Sequence, residues 1–282
     1  RSLATSMYRD GTGSIGTVSS ESSGTYTLTD PEDITNFEVG MVLNVFQHQT
    51  ATTTDSRFRK PDSLNQIGGD LTVTAVDRSA GTVGSPLLHN QVLQKGDLNA
   101  KISGLEAWVP RVLDTNNKTL FSQDRSTDVS RLGGQRFDGS ALPIEEALIE
   151  GASLVSREGG TPTHCFVDFK TFANLEKALS SKVVYGEVKA RDVDMGFASI
   201  ALRGPRGIID IIPDQNAQPN IAWMLQLDTW SLNTLGEAPM FLDFDNNQML
   251  RENSADAYEV RLGYYGNLAC NAPGYNCRIA LA

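Results

Sequence analysis

Two amphipathic helices separated by one short apolar strand constrain the fold most, and they occupy residues 140–180. Ser140 and Pro143 suit the start of the first helix, because Ser caps free backbone N–H groups and Pro fits the first turn. Gly159 predicts its end, since glycine accepts the left-handed backbone that terminates helices. Apolar residues recur at helical spacing between these signals: Ile144, Ala147, Leu148, Ala152 and Val155.

The strand and the second helix follow directly. Residues 165–167 predict a short buried strand, and Asp168 is positioned to cap the helix after it. Phe172 and Leu175 begin the apolar stripe of that helix. Since no pair of residues here resembles a catalytic arrangement, we interpret the stretch as scaffold. The later part of the chain is α+β in pattern.

Composition places the chain among soluble globular proteins. Its 282 residues, 40% hydrophobic and 21% charged, suffice for one or two domains with a sizeable core. A net charge of −10 argues against a surface that grips nucleic-acid phosphates. Three cysteines without a repeated spacing predict no disulfide framework and favour a reducing compartment, with Cys165 in the core.

Neither end of the sequence indicates targeting to a membrane. No apolar run approaches the roughly 18–20 residues of a membrane span. The first residues lack the apolar centre of a signal peptide, and residue 1 is not Met. We therefore expect that translation does not start at residue 1.

Strand-rich composition distinguishes residues 16–102. Thr, Ser, Val and Gly dominate there, and turn residues separate short strands, the last of which ends near Ile102. This spacing predicts a small antiparallel barrel or sandwich, with an exposed loop at residues 47–65. Residues 114–139 predict a second long loop, either ordered or bound to a partner, and we expect it to form one inter-subunit contact. Further strands are expected at residues 71–76, 182–185, 208–213, 222–227, 258–265 and 277–281, with a turn or short helix at residues 228–235.

Motifs associated with chemistry are incomplete. Residues 11–16 match GxGxxG, but a helix precedes them and strands follow, so we interpret them as a turn that stops a helix. Residues 243–247 resemble the start of a calcium loop that lacks its glycine and its closing glutamate. The three histidines show no metal-ligand spacing, and the three tryptophans are expected in the core. The sequence predicts no catalytic residue, no cofactor and no metal.

Several stretches, taken in order, resemble the major capsid proteins of tailed bacteriophages, which have the Hong Kong 97-type fold. Residues 7–13 are similar to the family's long helix ending in a Gly-Thr-Gly loop, and residues 104–110 to its passage out of an inserted β domain. Residues 124–134, the helix from Leu142, and residues 166–168 with Leu175 are similar to the core that follows. Residues 255–268, Pro273 and Ile279 are similar to the closing strand pair.

This resemblance implies an α+β Hong Kong 97-type fold with peripheral and axial domains and an inserted antiparallel β domain. The implied division is residues 1–15 for the end of the long helix, 16–103 for the inserted domain, 104–160 for a peripheral segment, 161–254 for the axial domain and 255–282 for strands returning to the core. The family's N-terminal arm, extended loop and most of the long helix would lie before Arg1.

The implied function is structural, not enzymatic. The resemblance implies a homo-oligomer of hexamers and pentamers that forms an icosahedral phage head around double-stranded DNA, without sequence-specific binding and without a membrane. The localisation it implies is the virion, assembled in the bacterial host cytoplasm, with portal, scaffold or decoration proteins as further partners. Independently, the loop at residues 114–139 supplies Arg125, Arg131 and Arg136 as candidate inter-subunit contacts, since arginine suits interface ion pairs.

Three alternatives remain open from the sequence. An encapsulin-type cellular shell would share the fold and enclose a cargo enzyme instead of DNA. A β-rich ligand-binding module on a virion or cell surface would place its groove near Trp108 or residues 47–65. An enzyme is favoured least, because three scattered histidines and isolated carboxylates form no catalytic set.

Overall fold

Short strands and short helices alternate along the chain in the computed structural model. It describes residues 2–22, 25–48, 64–66, 71–77, 82–84, 91–94, 101–113, 118–180, 200–237, 240–243, 248–251 and 256–281. The helices are α1 Ser2–Tyr8, α2 Leu105–Trp108, α3 Val129–Gly133, α4 Ile144–Arg157 and α5 Phe169–Ser180.

The strands fall into two larger sheets and several two-stranded ladders. They are β1 Ser14–Ser22, β2 Thr25–Leu28, β3 Val42–His48, β4 Leu64–Gln66, β5 Leu71–Thr72, β6 Ala75–Asp77, β7 Thr82–Gly84, β8 Gln91–Gln94, β9 Thr119–Leu120, β10 Gln123–Asp124, β11 Gln135–Asp138, β12 His164–Val167, β13 Ile200–Gly204, β14 Gly207–Pro213, β15 Ile221–Leu225, β16 Trp230–Thr234, β17 Met240–Phe241, β18 Met249–Arg251, β19 Tyr258–Val260, β20 Leu262–Gly263, β21 Gly266–Cys270 and β22 Cys277–Ala280.

A six-stranded mixed sheet forms the larger core, in the order β11-β22-β15-β12-β14-β13. Its pairs β11/β22 and β12/β14 are parallel, and its other pairs are antiparallel. Because side chains alternate across a strand, one face of the sheet presents apolar residues to α4 and α5. Ala147 and Leu148 of α4 pack there against Cys165, Met224 and Ile279, each at most 1% exposed.

The helices of this core begin and end largely as the sequence predicts. Gly159 follows α4 with φ +100°, which confirms it as the helix stop. Asp168 caps α5, since its Oδ2 accepts from the N–H groups of Lys170 (3.0 Å) and Thr171 (3.2 Å). The prediction that Ser140 caps α4 is wrong, because the N-cap position is Pro143, three residues further on, and Ser140 belongs to the preceding turn, where its hydroxyl donates to Asp138 (2.7 Å).

The second sheet contains β1 to β8 and runs β4-β3-β8-β1-β2-β7-β6, with β5 also paired to β3. All pairs among its described strands are antiparallel, as predicted. Its own core includes Tyr26, Leu28 and Phe37, each at most 4% exposed. The single strand expected at residues 71–76 is wrong, because Val73 and Thr74 separate β5 from β6.

Several other segments predicted from the sequence differ in the structure or lie outside its described part. Ile102 is buried but lies outside any strand, so the strand predicted to end there is not found at that residue. Within the loop expected at residues 47–65, residues 49–63 lie outside the described part of the chain, as do residues 182–185. At residues 228–235, a short 3-10 turn, Leu227–Thr229, leads directly into β16.

The long loop predicted at residues 114–139 contains regular structure, which corrects that expectation. Strands β9 and β10 pair as a short hairpin, α3 follows them, and β11 joins the six-stranded sheet. Strand β11 aligns Gln135 with Cys277 of β22, far away in the sequence. A pairing over that distance leaves no local pattern in a segment rich in Asp, Ser and Arg. Residues 114–117 lie outside the described part.

Residues 230–237, 240–243, 248–251 and 256–270 form a long antiparallel ribbon that we call the ribbon arm. It consists of three successive ladders, β16/β21, β17/β20 and β18/β19. Backbone hydrogen bonds continue it between the ladders, from Leu235 N–H to the Tyr265 carbonyl and from Leu242 N–H to the Arg261 carbonyl, each 2.8 Å. The arm is therefore a two-stranded element anchored at one end, where Trp230 pairs with Cys270.

Close packing of α4 on the sheet gives a testable expectation at Gly151. A Cβ there would overlap the side chain of Ile279 on β22. Gly151→Ala should therefore lower the free energy of unfolding by about 1–3 kcal/mol through overpacking, although alanine favours the helix by about 1 kcal/mol. Urea unfolding measures the change, with Ser153→Ala on the exposed side of α4 as the matched control. An equal or greater stability of Gly151→Ala would contradict this packing.

Candidate functional site

The described residues form neither a cluster that could bind a metal ion nor an accessible thiol. Within them, no three His, Cys, Asp or Glu side chains gather closely enough to hold a metal ion. Cys165, Cys270 and Cys277 are free and buried. Burial raises the pKa of the Cys277 thiol to about 12, against the lowering effect of Arg136 and Arg278. None of the described helices has both the length and the apolar character to span a membrane.

The motifs weighed in the sequence have ordinary structural roles where the structure describes them. Gly11 and Gly13 have φ values of +90° and +92° and turn the chain after α1, as the interpretation of a helix-stopping turn predicts. Asp10 Oδ1 accepts from the N–H (3.0 Å) and the hydroxyl (2.6 Å) of Thr12 in the same turn. Of the calcium-loop match, residues 244–247 lie outside the described part.

Arg125 lies inside the chain, with 4% of its surface exposed. Its Nη1 donates to the carbonyl oxygens of Ala107 (2.8 Å) and Trp108 (2.9 Å), which end α2. Burial, reinforced by the neighbouring charge of Arg136, lowers the pKa of Arg125 to about 10. Arg125 thus holds α2 in place within one chain, and its contact with a second subunit stays a prediction.

Arg136 and Arg131 differ from each other in exposure and in their contacts within the chain. Arg136 Nη2 donates to the carbonyls of Val129, Gly133 and Gly134 at 3.1–3.2 Å and so closes the end of α3. The side chain of Arg131 is 79% exposed and pairs with Asp128 at 3.7 Å. The structure does not bring the three arginines into one surface, and their role between subunits stays a prediction.

The base of the ribbon arm is bound tightly to α2. Trp108 Nε1 donates to the Leu268 carbonyl (2.9 Å), and its ring meets Trp230 edge-on at 6.4 Å. The N–H of Ser103 donates to Asn267 Oδ1 (2.8 Å). Trp108 and Trp230 are therefore half-buried residues that connect α2 to the arm. All three tryptophans were expected in the core, and Trp223 is fully buried there.

Asn276 fixes the other side of the arm base, and it is completely buried. Its Oδ1 accepts from Gln226 N–H (2.9 Å) and Trp230 Nε1 (2.8 Å). Its Nδ2 donates to the Ala272 carbonyl (3.0 Å) and the Thr229 hydroxyl (3.2 Å). A buried amide whose hydrogen-bonding groups are all used defines one geometry for the chain around it.

The outer part of the arm has one apolar face. Directly paired residues of antiparallel strands lie on the same face, and so do alternate residues of one strand. The pairs Phe241/Leu262 and Met249/Val260 therefore share a face with Tyr258 and with the residue paired to it, Arg251, which is the charged exception on this face. We call the following residues, which are 46% to 68% exposed, the apolar ribbon face: Phe241, Met249, Tyr258, Val260 and Leu262.

The opposite face of the same strands is charged. Arg261 Nε donates to Glu259 Oε1 at 2.9 Å, and both side chains are more than half exposed. The sequence predicts strands over residues 258–265, and the order Tyr-Glu-Val-Arg-Leu already alternates. What the sequence does not show is which elements would cover the apolar side. In the structure this side is exposed, which makes it the candidate functional surface.

Comparisons with known proteins add one finding. No protein-family model matches the sequence, and no curated protein matches it either. Among solved structures, the chain resembles the crystal structure of a virus-like particle from Pyrococcus furiosus, with a TM-score of 0.35 and 11% sequence identity. The match covers 86% of this chain and 87% of the other. A TM-score of this size is too low to assign a fold or a function.

The two arginines with contrasting surroundings give a second expectation. Arg125→Ala leaves the carbonyls of Ala107 and Trp108 without their donor, so we expect a loss of roughly 3 kcal/mol in the free energy of unfolding. Arg131→Ala is the matched control, and it should change this free energy by less than about 0.5 kcal/mol because its ion pair is exposed. Urea unfolding of both variants measures the difference. Similar losses in the two variants would show that Arg125 does not anchor α2.

Proposed function

We propose that this protein is a structural subunit of a self-assembling shell, and that copies of the chain cover the apolar ribbon face of their neighbours. In its specific form, the proposal is the major capsid protein of a tailed bacteriophage, arranged in hexamers and pentamers around double-stranded DNA. The observation that carries it is the exposed apolar face of a two-stranded arm. The sequence resemblance to that family supports the specific form.

Physical stability argues that this face has a permanent partner. A two-stranded ribbon is marginal by itself in water and needs a third strand or a packed helix to be stable. The hydrogen bonds given above between the arm and the rest of the chain lie at its base, where Trp230, Asn267 and Leu268 take part in them, whereas Phe241, Met249 and Tyr258 are at least 60% exposed. A surface that always needs the same binding partner is most simply buried by another copy of the chain, because a second copy is present wherever the chain is made.

The length of the arm suits contact between subunits. From Cys270 to Tyr258 the returning strand has twelve residue steps, which span about 40 Å at the usual rise of a strand. An element that reaches this far from its base can pack on a neighbour without disturbing its own core. Closed symmetric shells require each chain to present such heterologous contacts.

Charge supports enclosure of DNA more than binding to it. With a net charge of −10, the subunit has no overall attraction for phosphates. A wall of this kind contains packed DNA without holding it at fixed positions. Since the apolar contacts act at short range, they are compatible with the mutual repulsion of acidic subunits at a distance.

A substitution on the apolar ribbon face tests the proposal. Val260→Lys places a charge where a neighbouring copy would pack, so particle yield should fall at least tenfold, because burying an unpaired charge is costly. Glu259→Lys introduces the same side chain one position away on the charged face, and it should leave the yield within about twofold of the original. Light scattering and negative-stain microscopy of the chain in its full reading frame measure the particles.

Two controls make the result decisive. Thermal unfolding of the separated subunits should give the same midpoint for both variants within a few degrees, because Val260 is 46% exposed. Equal particle yields for the two variants would remove the apolar ribbon face from the interface, and a chain that stays monomeric in its full reading frame would overturn the shell function. Particles that contain a protein cargo instead of DNA would indicate the encapsulin-type alternative.

A further inference from the structure

A buried Glu–Gln pair lies where α2 meets the segment before β15. Glu106 is 3% exposed and Gln218 is 5% exposed. Gln218 Nε2 donates to Glu106 Oε2 at 2.8 Å. The remaining oxygen of each side chain, Glu106 Oε1 and Gln218 Oε1, is buried and has no hydrogen-bond partner. Both are acceptors when Glu106 is ionised, and a buried acceptor without a donor costs about 1–3 kcal/mol.

One proton would satisfy both atoms. A protonated carboxyl group has an O–H donor, and an amide already donating to its other oxygen presents a carbonyl beside it. The two groups can then form two parallel hydrogen bonds, amide to acid and acid to amide. We propose that Glu106 is protonated in the folded chain at neutral pH, donates from Oε1 to Gln218 Oε1, and so acts as a proton-dependent lock between α2 and the segment before β15.

The charges around the pair come from every element that packs on it. Arg9 pairs with Asp33 at 2.6 Å, and Arg278 lies over the Trp223 ring at 5.9 Å, but both cations are close enough to favour the ionised form of Glu106. The charged groups facing or bordering the site are Arg9 and Asp10 after α1, Asp30 and Asp33 near the turn after β2, and Arg278 of β22. The site therefore contains more carboxyl groups than arginines.

Burial is the main influence on Glu106. Burial, with a smaller contribution from Asp10, raises the pKa of this carboxyl to about 8, against the lowering effects of Arg278, Arg9 and the hydrogen bond from Gln218. In the unfolded chain the pKa is near its ordinary value of 4.5. Between these values the folded chain holds a proton that the unfolded chain has lost, so stability falls as pH rises through this range and is level above it.

The lock also bears on the ribbon arm. Glu106 and Trp108 belong to the same short helix, and Trp108 holds the arm base through Leu268. Ionisation of Glu106 therefore weakens the support of the helix to which the arm is bound. The protonation state itself does not depend on the proposed shell function.

Glu106→Gln tests the lock, because glutamine supplies the N–H donor permanently and does not titrate. Thermal unfolding of the full chain is followed from about pH 5 to pH 8. The unfolding equilibrium constant of the original chain should rise at least tenfold relative to that of Glu106→Gln across this range. The matched control is Glu146→Gln on the exposed side of α4, which should follow the original chain. Parallel pH profiles for the original chain and Glu106→Gln would overturn the proposal.

A second measurement needs no variant to fold. Infrared difference spectra of the original chain should contain one protonated carboxyl band at pH 7 that disappears with a midpoint near pH 8. A cavity of about 30 Å³ borders the pair, which is room for about one water molecule. If a water instead of the carboxyl proton supplies the donor, Glu106 is ionised at pH 7 and this band is absent, which refutes the lock.

Discussion

The contacts that fix the four residues of α2 are the interactions on which the rest of the structure depends. Arg125 satisfies the carbonyls at the end of this helix, and Trp108 within it carries the base of the ribbon arm. Just before it, the Gly104 N–H donates to the Arg9 carbonyl at 2.9 Å, and a Cβ at Gly104 would overlap the backbone of Met7. A helix this short has no stability of its own. Its position is therefore determined by side chains and backbone from four separate parts of the sequence.

Local patterns predicted the elements whose determinants lie within a few residues. The apolar stripe of α4, its stop at Gly159 and the cap at Asp168 are of this kind. The Ser140 cap failed because α4 begins at Ile144, after Pro143, and Ser140 forms a turn with Asp138 instead, a choice that spacing alone does not decide. Antiparallel pairing in residues 16–102 followed from strand spacing, although the break at Val73 did not.

Long-range partners explain what the sequence left undetermined. Arg125 was predicted to contact another subunit because so long a loop needs something to order it and arginine suits interface ion pairs, and the sequence did not show that backbone carbonyls elsewhere in the chain also bind it. Strand β11 could not be predicted locally, because it forms by pairing with β22. The buried oxygens of Glu106 and Gln218 that lack hydrogen-bond partners could not be predicted either, because the fold as a whole buries them. For the apolar ribbon face, the alternation at Tyr258, Val260 and Leu262 was available from the sequence, but its exposure was not.

The place of β22 in the six-stranded sheet has a consequence for the order of folding. Residues 277–280 lie between β11 and β15, so the sheet has a gap at that position until these residues can pair. During synthesis, chains fold from the N-terminal side at about 5–20 residues per second. The apolar faces of β15 and α4 would therefore stay incompletely covered until translation has passed residue 280. A nascent chain of this kind has a period in which chaperone binding competes with misassembly, and synthesis of residues 277–280 is the event that closes the core.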